Sequence, residues 1–127
     1  MNRSISLLLL TVGALFLGAC ENEADNRAAT AMTGGGDPHR GKSAITAYGC
    51  GTCHTVPGVR GADALVGPPL TSMAERGYIG GVMKNTPANM IRWIQDPPAV
   101  DPMTAMPKLN VSDADARDIA SYLYTLK

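Results

Sequence analysis

The stretch Cys50-Gly51-Thr52-Cys53-His54 sets two thiols three positions apart, with an imidazole directly behind the second. Several chemistries use such a pair. A structural zinc site needs about four ligands. Beyond Cys50, Cys53 and His54 the chain offers one other histidine, His39, and no second paired motif. A dithiol redox centre wants a βαβ setting, and none can be read here. A plain structural disulfide is a further alternative. The pattern C-x-x-C-H is the signature of covalent haem attachment, and it fits best. Two thiols at this spacing reach two vinyl groups on one haem edge, and His54 turns its imidazole toward the iron.

The rest of the chain is consistent with a small domain built around a cofactor. Its 127 residues carry 11 Lys+Arg against 11 Asp+Glu, with 45% apolar and 17% charged residues. That is the make-up of one globular domain. Only one Trp, four Tyr and one Phe are present, beside 14 Gly and 9 Pro. So few large side chains bury little surface, and a bound group in the core would compensate. The balanced charge gives no reason to expect nucleic-acid binding. Three cysteines cannot make a multi-disulfide framework. Phosphate-loop, Rossmann-glycine and HExxH patterns are absent.

Residues 1–20 read as an address. Arg3 supplies the positive start, Ile5 to Leu17 is a predominantly apolar run of 13 residues, and Leu17-Gly18-Ala19-Cys20 follows. Such a run suits a secretory signal and is too short for a mature span. The four-residue stretch resembles the lipobox of bacterial lipoproteins. That implies cleavage after residue 19 and an acylated Cys20, which anchors the chain firmly; an ordinary signal peptide is the alternative. Loss of residues 1–19 removes Arg3 and leaves 10 basic against 11 acidic residues. Residues 21–36 (ENEADNRAATAMTGGG) show no apolar periodicity and end in three glycines. They are predicted to be a flexible linker, reaching about 20–25 Å as a coil.

Three main helices are predicted from residue 37 onward. Asp37 (N-cap) and Pro38 open the first, whose face is Gly41, Ala44, Ile45 and Tyr48. Thr86 and Pro87 open the second; Met90, Ile91, Trp93 and Ile94 are its apolar residues, and Pro97-Pro98 ends it. Ser112-Asp113-Ala114-Asp115 opens the third like a capping box with Asp for Glu. Ile119, Tyr122, Leu123 and Leu126 form its stripe, and Lys127 is expected near its negative end. Gly/Pro-rich loops (55–70 and 97–110) connect them, with no convincing strand alternation.

Taken in order, residues 36–127 resemble a class I cytochrome c. The resemblance rests on the helix Gly36 to Tyr48, CxxCH, Gly67-Pro68-Pro69-Leu70, a helix ending in Asp96-Pro97, Met106-Pro107, and a last helix with Ala120-Ser121-Tyr122-Leu123. Thr86 to Pro107 is similar to membrane-associated cytochromes c and to the cytochrome domain of haem–copper oxidase subunit II. The resemblance implies a small all-α fold around one haem c, attached through Cys50 and Cys53. It implies His54 as proximal iron ligand, Pro68 as the carbonyl accepting the other imidazole N–H, and Met106 as sixth ligand. It places Trp93 beside the haem, and Gly41, Ile45, Ile119 and Tyr122 where the first and last helices cross.

This chain departs from the family pattern in two places. Pro102-Met103-Thr104 stands where Pro-Gly-Thr is usual, so Met103 competes with Met106 as ligand. Asn85 stands where many members have a tryptophan that bonds a haem propionate. Arg76, Tyr78 and Asn85 are therefore the polar candidates for that role. Met73, Met83 and Met90 are expected in the core or against the haem, and His39 on the surface. The function implied is one-electron transfer, without a small-molecule substrate, by a lipid-anchored cytochrome at the outer face of the cytoplasmic membrane. Its partners would be redox proteins such as an oxidase, a dehydrogenase or a quinol-oxidising complex. It would be a mobile carrier or a bound subunit of a larger complex. A haem enzyme or gas sensor with a labile Met106 is the alternative of another class.

Overall fold

The computed structural model describes residues 22–127. The leader and Cys20 lie outside the described residues. In chain order the helices are α1 (residues 22–32), α2 (Pro38–Ala47), α3 (Pro87–Gln95), α4 (Pro97–Val100) and α5 (Asp113–Tyr124). Single 3-10 turns occupy Cys50–Thr52 and Met73–Glu75. A small hairpin pairs β1 (Tyr78–Ile79) with β2 (Met83–Lys84), Tyr78 opposite Lys84 and Ile79 opposite Met83. Its turn places Gly80 and Gly81 at φ 56° and 76°, which no β-branched residue would adopt cheaply.

Each main helix starts where its capping residue predicts. Asp37 accepts hydrogen bonds from the backbone N–H groups of His39 and Arg40, Thr86 from Asn89, and Ser112 from Asp115. The capping box at α5 is incomplete, because the Asp115 side chain is too short to reach back. Its carboxylate instead accepts the hydroxyls of Ser112 and Tyr48, each at 2.7 Å. The Tyr48 hydroxyl in turn accepts the Ser112 N–H at 3.4 Å. Pro97 ends α3 as expected but also opens α4, capped by Asp96, which accepts from Ala99 N–H.

Residues 22–32, predicted as part of a coil, are helical instead. Ala24, Ala28, Ala29 and Ala31 are strong helix formers and need no apolar stripe. The helix ends in a glycine turn, with Gly35 N–H on the Thr30 carbonyl at 2.9 Å and φ 69° and 97° at Gly34 and Gly35. It is docked on the domain: Ala29 is 1% and Thr33 2% exposed. Lys127, expected near the negative end of α5, lies beyond its last residue Tyr124 and pairs with Asp25 of α1 at 2.6 Å.

The core gathers where α5 packs across α2 and α3. Ile45, Met90, Ala116, Ile119, Ala120 and Leu123 are buried there. Gly41 sits at the crossing of α2 with α5, and a Cβ on it would lie 2.0 Å from the Asp118 carbonyl oxygen. The Asp118 carboxylate, 5% exposed, fastens the same crossing. It accepts the Asp37 N–H at 2.7 Å and two guanidinium N–H bonds from Arg40, at 2.7 and 3.1 Å. Among the described residues no buried side-chain polar atom lacks a partner.

These carboxylates set the acid limit of stability. Burial alone would raise the Asp118 carboxyl, but the hydrogen bonds from Arg40 and Asp37 outweigh it and hold it below the usual range. Asp115, bonded by the Ser112 and Tyr48 hydroxyls, and Asp96, bonded by Lys108, are lowered too. A carboxyl depressed in the native state stabilises fully above its unfolded value, about 3.9. That contribution is lost as pH falls through the native value. The urea midpoint should therefore stay level from pH 7 to about 5 and drop below about 4. Asp118→Asn should show a lower plateau and a shallower acid drop. An acid drop as steep as in the parent would remove Asp118 from this account.

Candidate functional site

The turn that carries the two thiols begins where α2 stops. Gly49, at φ 73°, reverses the chain into the Cys50–Thr52 turn. The Cys53 and His54 N–H groups both donate to the Cys50 carbonyl, at 3.2 and 3.0 Å. Both cysteines are unpaired and half-buried. Burial pushes the Cys50 thiol up, and the nearby Cys53 adds to it. Gly51 is pressed against Ala62, where a Cβ would lie 2.8 Å from the Ala62 Cβ.

A strap from Gly67 to Leu70 runs alongside. Gly67 N–H donates to the Cys53 carbonyl at 2.7 Å, and Leu70 N–H to the Thr55 carbonyl at 2.8 Å. Between them His54 Nδ1 lies 2.7 Å from the Pro68 carbonyl oxygen. A carbonyl only accepts, so Nδ1 carries the proton, and Nε2 of the neutral ring keeps its lone pair. Gly67 is required by this geometry: a Cβ there would lie 2.4 Å from His54 Cε1.

The second thioether candidate is set by another loop. Asp101 Oδ1 accepts the Met103 N–H at 3.0 Å, and Thr104 Oγ1 accepts the Met106 N–H at 3.2 Å. Lys108 braces the loop against Asp96 at 2.5 Å. The two methionines differ in placement: Met106 is half-buried and packed on the core, whereas Met103 is 89% exposed. Trp93 is buried, with its ring against Gly80, where a Cβ would meet it at 2.7 Å. Met73 and Met90 are buried, Met83 is partly buried against the core, and His39 is exposed. The stripe of α5 splits its duties. Ile119 meets α2 at Gly41, while the Tyr122 hydroxyl donates to the Pro57 carbonyl at 2.6 Å.

Asn85 is not available to a carboxylate. A carboxylate needs N–H donors, and both amide hydrogens of Asn85 go to the Met73 and Arg76 carbonyls at 2.8 Å. Its oxygen accepts the Tyr124 hydroxyl at 2.7 Å, and burial pushes that phenol up to about 12. Asn85 is a fastener between the 73–85 loop and α5. Arg76 Nε and Nη2 are taken by the Pro69 and Thr71 carbonyls, which leaves Nη1. Tyr78 is exposed.

The family model for cytochrome c matches residues 38–127, from the start of α2 to the end of the chain. The chain belongs to the cytochrome c family. Cytochrome c oxidase subunit 2 of Alkalihalophilus pseudofirmus is 31% identical to this cytochrome over 90 residues, 70% of this chain and 25% of that protein. This cytochrome thus spans about a quarter of the length of that curated relative. No solved structure matches it. Membership brings one haem c, covalently held through Cys50 and Cys53, and the work of an electron carrier. The residues present fit that group: two half-buried thiols share one turn, a histidine beside them keeps one ring nitrogen free, and Cys50 packs against the apolar core. Among the described residues no cluster of three or more His, Cys, Asp or Glu could hold a metal ion.

Proposed function

We propose that this cytochrome c is a membrane-tethered one-electron carrier whose haem iron is held between His54 and Met106. The observation that carries this reading is the His54–Pro68 bond. It fixes the ring, selects the tautomer with a free Nε2 and makes the imidazole more basic. The half-buried Met106, held by the Thr104 and Asp101 turn, supports the second ligand over the exposed Met103. When bound, the haem supplies an iron that cycles between Fe(II) and Fe(III), and a thioether ligand raises its potential. Two protein ligands leave no open position for a substrate, which favours transfer of electrons over catalysis at the iron.

The lipobox-like stretch at residues 17–20 supports an anchor at Cys20. Among the described residues no helix is long and apolar enough to cross a membrane. The docked α1 favours the reading as a bound subunit over a freely roaming carrier. Its 11 residues of helix span about 16 Å and cannot sweep as a coil does. The relative's name points the same way, to an oxidase as redox partner.

Fractionation tests the tether. The parent protein should sediment with membranes, and Cys20→Ala should be released to the soluble fraction. Equal release of both would sink the anchor. A stoichiometric complex surviving mild detergent would support the subunit reading, and its absence would return the protein to the mobile carrier.

A further inference from the structure

We propose that Arg76 is a positioning residue for His54, acting through the strap that bonds the imidazole. The inference rests on the ligand role proposed for His54. The strap Gly67-Pro68-Pro69-Leu70 has two consecutive prolines, so its middle carries no N–H with which to make a ladder. Only Gly67 and Leu70 N–H tie it inward, to Cys53 and Thr55. The carbonyl that matters, Pro68, lies between those two ties. What holds the strap from its other side is Arg76. Nη2 donates to the Pro69 carbonyl at 2.6 Å and to the Thr71 carbonyl at 2.8 Å, and Nε donates to the Thr71 carbonyl at 3.1 Å.

Arg76 is itself fixed in place. Its carbonyl accepts Asn85 Nδ2 at 2.8 Å, and Asn85 accepts the Tyr124 hydroxyl at 2.7 Å. A continuous set of hydrogen bonds thus runs from α5 through Asn85 and Arg76 to the strap. Among the described residues Arg76 belongs to none of the ion pairs. Nε and Nη2 are spent on neutral carbonyls, and Nη1 is left over. A planar fork can bridge two carbonyls two residues apart, which a lysine ammonium on its flexible stem does not reproduce. If the strap slackens, the Nδ1–H···O bond to Pro68 lengthens and the imidazole loses basicity. Fe(III) is then less well stabilised and the potential rises.

Arg76→Lys, which keeps the charge and loses the fork, is the direct test in the haem-loaded protein. Two readouts are needed: solvent exchange of the His54 Nδ1 proton by NMR in the reduced state, and the reduction potential. The expected result is ring-proton exchange about tenfold faster, the scale of one weakened charge-assisted hydrogen bond, together with a raised potential. Lower thermal stability with both readouts unmoved would make Arg76 merely structural and overturn the proposal. So would an unmoved Arg76→Lys beside an Arg76→Gln whose potential falls, because that pattern reports charge alone. Failure of the ligand role looks different: the parent itself would show no protected Nδ1 proton and no low-spin spectrum, overturning both.

Discussion

Gly41→Ala should cost this cytochrome about 4 kcal/mol or more, at the far end of what single substitutions do. The added Cβ would fall 2.0 Å from the Asp118 carbonyl oxygen, 2.5 Å from its carbon and 3.0 Å from the Ile119 nitrogen. All three are backbone atoms of α5, so no side chain can rotate away. The helices must part, and residues packed at the crossing lose contact on both sides; Ala116 and Ala120 are 0% exposed and Ile45 1%. Ordinary overpacking costs about 1–3 kcal/mol because neighbours yield; here they cannot. Since α2 leads directly into the Cys50 turn, the yield of haem-loaded protein should fall as well. Gly77→Ala is the control. A Cβ there meets nothing within 4 Å, and its effect should stay within about 0.5 kcal/mol. Chemical denaturation of the two haem-loaded variants decides the matter. Equal stabilities would mean that the crossing is looser than described.

Met106→Ala should change the iron site more than any substitution outside the Cys50–His54 turn. On the proposed ligation, removing the thioether opens one coordination position. The ferrous protein should then bind carbon monoxide. The potential should fall on the order of 0.1 V or more, within the ~0.8 V range that axial ligands command. Met103→Ala should alter neither property, since that side chain is 89% exposed and only its backbone N–H is engaged, by Asp101. If Met103→Ala were the variant that bound carbon monoxide, the ligand would have to be reassigned to position 103.

What was legible in the sequence was local. Asp37, Thr86 and Ser112 cap the helices they announce, because a cap is decided by residues two or three apart. The glycine on the face of α2 signalled a close crossing, and the motif order placed Pro68 opposite His54. What was not legible depends on partners far along the chain. Asn85 reads as a propionate candidate until Tyr124, 39 positions on, is seen to donate to it. Arg40 and Asp118 are 78 positions apart, and nothing in their neighbourhoods predicts the bond. The helix at residues 22–32 was missed for a different reason. Its buried contact is the small Ala29, with Thr33 just beyond its end, so it carries no stripe of large apolar side chains.

The central claim is that His54 and Met106 close the coordination of a covalently held haem. Optical spectra of the purified protein, oxidised, reduced, and reduced under carbon monoxide, test it most directly. A low-spin c-type spectrum, a methionine-to-ferric band and indifference to carbon monoxide are the expected result. A high-spin spectrum that shifts with carbon monoxide would contradict it, and would make this an open haem site built for a ligand rather than a closed one built for electrons.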